Sequence, residues 1–174
     1  METIFENTCV DTQEEYYQLF SWILPKYTRV MGVICCVIGA LMLFSSVSGN
    51  LAIRYYGLFL LMFGVFSLLN SRINGKSFFQ KKVKVYGEPL PPKTYQFFES
   101  YFRVFDVDSD ATVEYSRIER VGFLKDCIAF KIEPAGNVYT MSNSGFTKGT
   151  REEFIKFLAV KCPKLKIKLP DWKW

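Results

Sequence analysis

The stretch YTRVMGVICCVIGALMLFSSVSGNLAIRYYGLFLLMFGVFSLL, residues 27–69, decides the architecture of this chain. From Val30 to Ile53 no side chain is charged, and beyond Arg54 the run from Tyr55 to Ser71 is again uncharged and mostly Leu, Phe, Gly and Met. A helix rises about 1.5 Å per residue and a bilayer core is about 30 Å thick, so residues 27–47 and 51–69 are each just long enough to span it. Ser48, Gly49 and Asn50 supply the turn. So short a connection implies an antiparallel transmembrane hairpin, with both ends of the chain on one side.

The flanks orient that hairpin. Lys26 and Arg29 precede or open the first span, and Arg72, Lys76, Lys81, Lys82 and Lys84 follow the second. Basic residues are retained on the cytoplasmic side, so both termini are expected there, in a multi-pass protein of the cell membrane. The acidic approach to Tyr27 lacks the basic start and small-residue cleavage site of a secretory signal. Arg54 falls near the outer end of the second span, where its side chain can reach the headgroups, with Tyr55 and Tyr56 in the interface. Gly32 and Gly39, and Gly57 and Gly64, recur at seven-residue spacing. That spacing suits close helix contact, either within the hairpin or at the seam of a homodimer.

The remaining sequence divides around this block. Residues 1–26 form a cytoplasmic piece: residues 3–10 have strand composition, and Asp11-Thr12-Gln13-Glu14 resembles a capping box opening a helix through Tyr16, Leu19, Phe20 and Ile23, which Pro25 breaks. Residues 27–71 hold the hairpin and residues 72–94 a basic juxtamembrane linker, with Gly87-Glu88-Pro89-Leu90-Pro91-Pro92 the least regular part. Residues 95–174 form the C-terminal domain. There, β-rich runs at 95–98, 101–107, 112–115, 118–124, 127–132 and 138–141 are separated by short turn signals, which implies an antiparallel meander. Ile128, Phe130 and Ile132 alternate with Ala129 and Lys131, so one face of that strand is apolar and the other mixed or wet. Thr150-Arg151-Glu152-Glu153 is a capping box for a closing helix whose stripe is Phe154, Phe157 and Leu158, with Ile155 beside them. The fold class is therefore an α+β membrane protein: a helical hairpin plus a small antiparallel β-sheet domain capped by a C-terminal helix. A bent sheet with one such helix has the pleckstrin-homology-like element order, which other α+β layouts share.

Charge is split between the two ends. Residues 1–25 carry five acidic and no basic side chains, whereas residues 76–174 carry 18 basic and 12 acidic ones. Opposite charge, together with the need of strand 3–10 for backbone partners, predicts that the N-terminal piece docks on an exposed edge of the C-terminal sheet.

Chemistry-bearing motifs are sparse. The chain has no histidine, the commonest general base and metal ligand. Its five cysteines, two of them adjacent at Cys35 and Cys36, have neither metal spacing nor a disulfide pattern and are expected to be reduced. Asp106, Asp108 and Asp110 alternate as in a calcium loop, but the required glycine and downstream glutamate are missing, so a solvated turn is expected. Glu114 and Glu119 flank an apolar strand pattern with no activated partner in view, and Ser142, Ser144 and Cys127 stand outside any nucleophile motif. No catalytic, metal or cofactor site is expected. The net charge of +5 comes without a recognition-helix or single-strand-binding pattern, which argues against nucleic acid. Lys76, Lys81, Lys82 and Lys84 are candidate contacts for anionic lipid headgroups, besides setting topology.

The order of an N-terminal strand and helix, two spans, then Phe97-Phe98-Glu99-Ser100-Tyr101, Tyr115-Ser116-Arg117-Ile118, residues 138–146 and Arg151-Glu152-Glu153-Phe154-Ile155-Lys156-Phe157-Leu158 resembles the bacterial YcxB-like family over most of the chain. That resemblance implies a membrane-anchored domain with a pleckstrin-homology-like fold and no named activity. The family usually has a Pro-Lys-containing segment ahead of the aromatic at Phe146, where this chain has Met141-Ser142-Asn143-Ser144-Gly145. The expected function is a non-catalytic interaction or regulatory module with membrane lipids and a protein as partners. The alternative is a lipid-headgroup sensor or a small component of a transport system.

Overall fold

The computed structural model describes residues 2–45, 51–134 and 136–165. The expected turn at Ser48, Gly49 and Asn50 lies outside them. Three helices come first after a short strand: α1 (Gln13–Ile23), α2 (Lys26–Ser45) and α3 (Leu51–Tyr86). The capping box of α1 is built from Thr12 and Glu15, one residue later than the sequence suggested: the Thr12 hydroxyl accepts from Glu15 N at 3.3 Å and the Glu15 carboxylate from Thr12 N at 3.0 Å. Asp11 is not free to cap because its carboxylate is bound elsewhere, by Tyr16, Lys82 and Lys93.

Pro25 separates α1 from α2, and the two lie end to end along α3. Gly39 faces Gly57, Gly32 faces Gly64, and Ser67 Oγ donates to Thr28 O at 3.0 Å. Further along, Tyr17 packs on Gly75 and Phe20 stands 5.9 Å from Phe78. The glycine pairs are thus occupied by contact within the hairpin. A Cβ on Gly64 would meet Gly32 O at 2.6 Å and Cys36 N at 2.8 Å, both backbone atoms that cannot swing aside. The third helix also runs on through residues 72–86, where a linker was expected. No proline interrupts that stretch, and α1 covers it through Gly75, Phe78 and Phe79. Gly87, at φ +83°, ends the helix by donating its N–H to Val83 O at 2.8 Å.

Among the described residues, eight strands are numbered in chain order: β1 (Phe5–Cys9), then β2 (Lys93–Phe97), β3 (Tyr101–Phe105), β4 (Asp110–Glu114), β5 (Ile118–Phe123), β6 (Cys127–Ile132), β7 (Val138–Ser142) and β8 (Phe146–Lys148). They make a five-stranded antiparallel sheet in the order β4-β3-β2-β1-β8 and a three-stranded one in the order β5-β6-β7. The N-terminal strand does join the C-terminal domain, but inside the sheet rather than at its edge, because the short β8 closes on its far side. Asn7 ties the two sheets together by donating Nδ2 to Ser142 O at 2.8 Å.

Helix α4 (Arg151–Lys161), capped by Thr150 and Glu153 as the sequence indicates, seals the core. Phe154 is fully buried and touches both sheets, its ring 4.5 Å from Phe97 and 6.4 Å from Phe130. Ile155 and Leu158 are also buried, while Phe157 is half-buried against Phe5 and Tyr115.

The other face of β6 is mixed, with Ala129 fully buried and Lys131 part-exposed in its ion pair with Glu119. Gly122, Ala129 and Thr140 stand opposite one another across β5, β6 and β7. This row of small side chains makes a trough for α1: Trp22 lies on Gly122, and Tyr16 and Leu19 cluster with Ala129. Helix α1 is therefore held between α3 and the three-stranded sheet.

Two outcomes follow from this packing. Deleting residues 2–10 removes a strand hydrogen-bonded on both sides, so the β-domain should lose its cooperative melt and be digested rapidly in limited proteolysis, whereas Val160→Ala at an exposed position should change neither. Gly64→Leu should lower the stability of the hairpin by about 1–3 kcal/mol or more, because the overpacked atoms are backbone; thermal unfolding of the detergent-solubilised chain reads this, with Leu58→Ala on the exposed side as the silent control.

Candidate functional site

The β-domain, α1 and the distal half of α3 meet at a cluster of ionisable groups. Asp11 enters it from the loop between β1 and α1, Lys93 from the first position of β2, Lys82 from α3 and Thr140 from β7. Lys93 Nζ is ion-paired with the Asp11 carboxylate and donates to Thr140 Oγ1 at 3.0 Å. Lys82 Nζ lies 3.2 Å from Asp11 Oδ2 and 5.7 Å from the centre of the Tyr16 ring, whose hydroxyl donates to Asp11 Oδ2 at 2.7 Å. The Tyr95 hydroxyl completes the group by donating to Thr140 O at 2.6 Å. Asp11, Lys93, Tyr95 and Thr140 are all buried.

Electrostatics at this centre favour paired charges. Burial opposes ionisation of Asp11, but the neighbouring Lys93 charge and the bonds from Lys93 and Tyr16 outweigh it and hold its pKa below the ordinary carboxylate value. Burial likewise works against the Lys93 ammonium, and the groups around it, Tyr95, Asp11 and Cys9, more than compensate, so its pKa is raised. Glu15 next door is raised by burial. Burial also pushes up the thiols, Cys127 to about 12 and Cys162 to about 11, with Cys9 raised in the same sense. The thiols stay protonated near neutrality.

A groove of about 480 Å³ opens beside the cluster, walled by Tyr16, Phe20 and Phe78 on one side and Val104, Val138 and Tyr139 on the other, with Lys93 and Tyr95 at its base. A second groove, of about 590 Å³, lies at the junction of α1 and α2 with the β5–β6 turn and is lined by Trp22, Lys26, Arg29, Arg120 and Lys125.

The lysines singled out in the sequence differ in exposure. Lys76, Lys81 and Lys84 are exposed along α3, whereas Lys82 is half-buried in the pair with Asp11. The turn reading of the aspartates holds in geometry: Asp106 accepts from Asp108 N at 3.0 Å and Ser109 N at 2.8 Å, and Arg103 Nε donates to Asp110 at 2.7 Å. Glu119 is ion-paired with Lys131 at 2.6 Å and Glu114 accepts from Ser116 at 3.1 Å, so the two carboxylates serve different partners. Ser142 and Ser144 share a hydrogen bond at 3.1 Å. All five cysteines are free thiols, and among the described residues no group of three or more potential ligands is arranged to hold a metal ion. Lys93, Asp11 and Thr140 as a group escaped the sequence reading, since nothing in their spacing links them; only the strand pairing brings them together.

Comparison of the chain with protein-family models, with curated proteins and with solved structures finds no match.

Asp11 and Lys93 give the expected pH dependence. The folded pKa of Asp11 lies below its unfolded value of about 3.9, so its contribution is complete above that value and lost as pH falls through the folded one. Lys93, raised above about 10.4, contributes below that value and loses its contribution as pH rises through its folded pKa. Glu15 has the opposite sign to Asp11, so the acid limb is read as the difference between the native chain and Asp11→Asn. Asp11→Ala, which strands the Lys93 charge, should cost about 3–5 kcal/mol in urea unfolding at pH 7, and Asp11→Leu with Lys93→Met should recover much of it. Equal losses in the single and double variants would show that the pair is not what holds these segments together.

Proposed function

We propose that this chain is a membrane-anchored, non-catalytic interaction or regulatory module, carried on a two-helix transmembrane hairpin with both termini in the cytoplasm. The observation that carries this reading is the apolar surface of α2 and of the first half of α3. Val33, Val37, Phe44, Phe59, Met62 and Phe63 are each at least half exposed, and only the glycine-lined seam is covered. Water would not tolerate such a surface, whereas lipid would cover it. Lys26, Arg29, Arg72 and Lys76 gather at one end of the pair and Arg54 at the other, which supports the cytoplasmic side for the former.

The β-domain with its closing helix is read as pleckstrin-homology-like on the strength of two antiparallel sheets sealed by α4. Satisfied ion pairs and thiols that stay protonated support a binding rather than a catalytic role. In this reading α3 leaves the membrane near Arg72 as a continuous helix. Its rise of about 1.5 Å per residue carries Lys76 about 6 Å and Lys84 about 18 Å beyond that point, so Lys76 is level with the headgroups and Lys81 and Lys84 stand more than a Debye length of about 8 Å away. Those two are better placed to meet a protein partner than lipid.

Alkaline carbonate extraction tests the anchor: the chain should stay in the membrane pellet, and reporter fusions at Met1 and Trp174 should both read as cytoplasmic. Release by carbonate, or an external position for either end, would overturn the hairpin.

A further inference from the structure

The groove at the foot of the hairpin gathers four cationic side chains from two parts of the chain that are far apart in sequence. Lys26 and Arg29 come from the first turn of α2, Arg120 from β5 and Lys125 from the β5–β6 turn. Trp22 lines the groove with them, and among the described residues the one acidic side chain lining it is Glu14.

The walls are held in place. A Cβ on Gly122 would come within 2.5 Å of the Trp22 ring, so the indole lies directly on the β5 backbone. The Arg120 guanidinium sits 4.6 Å from the centre of that ring, and Arg29 Nη2 donates to Ser21 O at 2.9 Å. Across the junction, Asp126 N donates to Gln18 Oε1 at 3.0 Å, which fixes the β5–β6 turn, and Lys125 with it, to α1. Two guanidinium groups anchored through part of their surface keep other donors for a ligand, and a guanidinium fork matches the paired oxygens of a phosphate.

We infer that this groove is a binding site for the phosphodiester headgroup of an anionic phospholipid. The inference rests on the membrane reading above, because Lys26 and Arg29 open the helix that would enter the bilayer. That position selects lipid over a free anion: a phosphate at the level of the first turn of α2 places its acyl chains along the apolar face that begins at Val30 and Ile34. Trp22 supplies the amphipathic ring that suits an interfacial site. A volume of about 590 Å³ is ample for a glycerophosphate headgroup.

The test uses the full chain in detergent micelles, with Trp172→Phe and Trp174→Phe leaving Trp22 as the single tryptophan. Dihexanoyl phosphatidylglycerol should change its fluorescence saturably, with a half-saturation at least about tenfold below that of dihexanoyl phosphatidylcholine or inorganic phosphate. Arg120→Gln with Lys125→Gln should raise that half-saturation by about tenfold or more. Should that variant melt earlier, Lys26→Gln with Lys125→Gln, both at exposed positions, should weaken binding by a similar factor. Equal response to the two lipids, phosphate binding as tightly as phosphatidylglycerol, or unchanged affinity in a folded variant would each overturn the site. Carbonate extraction of the same protein separates the two readings: release overturns the anchor, whereas a stably inserted chain without headgroup preference overturns this site alone.

Discussion

Five residues near the start of the chain are hydrogen-bonded on both sides within a sheet made otherwise from its second half. Phe5 to Cys9 pair with Phe97 to Lys93 on one side, and Glu6 and Asn7 pair with Lys148 and Phe146 on the other. The rest of the architecture depends on this placement. To reach it, the chain must leave β1, form α1, go out along α2, and return along the whole length of α3. The β-domain cannot be completed until the hairpin has brought the two ends back together. Such non-local pairing raises contact order and makes the closing step entropically costly, so the packed hairpin contributes to the folding of the domain as well as to its position.

Charge works on two scales here. The acidic excess of residues 1–25 and the basic excess of residues 76–174 point in the right direction for docking, yet the surface contacts that express it are slight. Lys148 lies 3.2 Å from the exposed Glu2 carboxylate, and Glu6 accepts from Thr147 at 3.2 Å. Pairs of that kind are worth about 0–1 kcal/mol. The specific contribution comes from Asp11, which is buried and shared by Lys93, Lys82 and Tyr16. A carboxylate held by three donors defines one arrangement of β1, α1, α3 and β2, whereas a net charge difference defines none.

Local signals in the sequence identified most elements. β-rich runs between turn signals located β3, β5, β6 and β7, with alternation added at β6, and the Thr150–Glu153 capping box located α4, because those signals act within a few residues. The readings that missed are the ones where a distant partner decides. Residues 72–86 looked like a linker by charge alone; they are helical because α1 covers Gly75, Phe78 and Phe79. Phe146-Thr147-Lys148 is too short to read as a strand and becomes one only when β1 lies beside it. Alternation places Ala129 on a mixed or wet face without a covering element, and Gly122 and Thr140 flank it across the sheet and leave room for a helix. The groove around Trp22 was hidden because its cations are separated by ninety-odd residues of chain.

Small residues do most of the positioning. Gly32, Gly39, Gly57 and Gly64 let α2 and α3 approach backbone to backbone, Gly75 admits Tyr17, and Gly122 admits Trp22. The last two lie on opposite sides of α1, one on α3 and the other on β5, so α1 has no room to shift toward either neighbour without meeting backbone. Its helical neighbour α2 begins only two residues after α1 ends, across Leu24 and Pro25. The first helix itself is tied to the sheet, where Asp126 N of the β5–β6 turn donates to Gln18 and Trp22 lies on Gly122. Helix α1 is thus packed against both the helical pair and the β-domain.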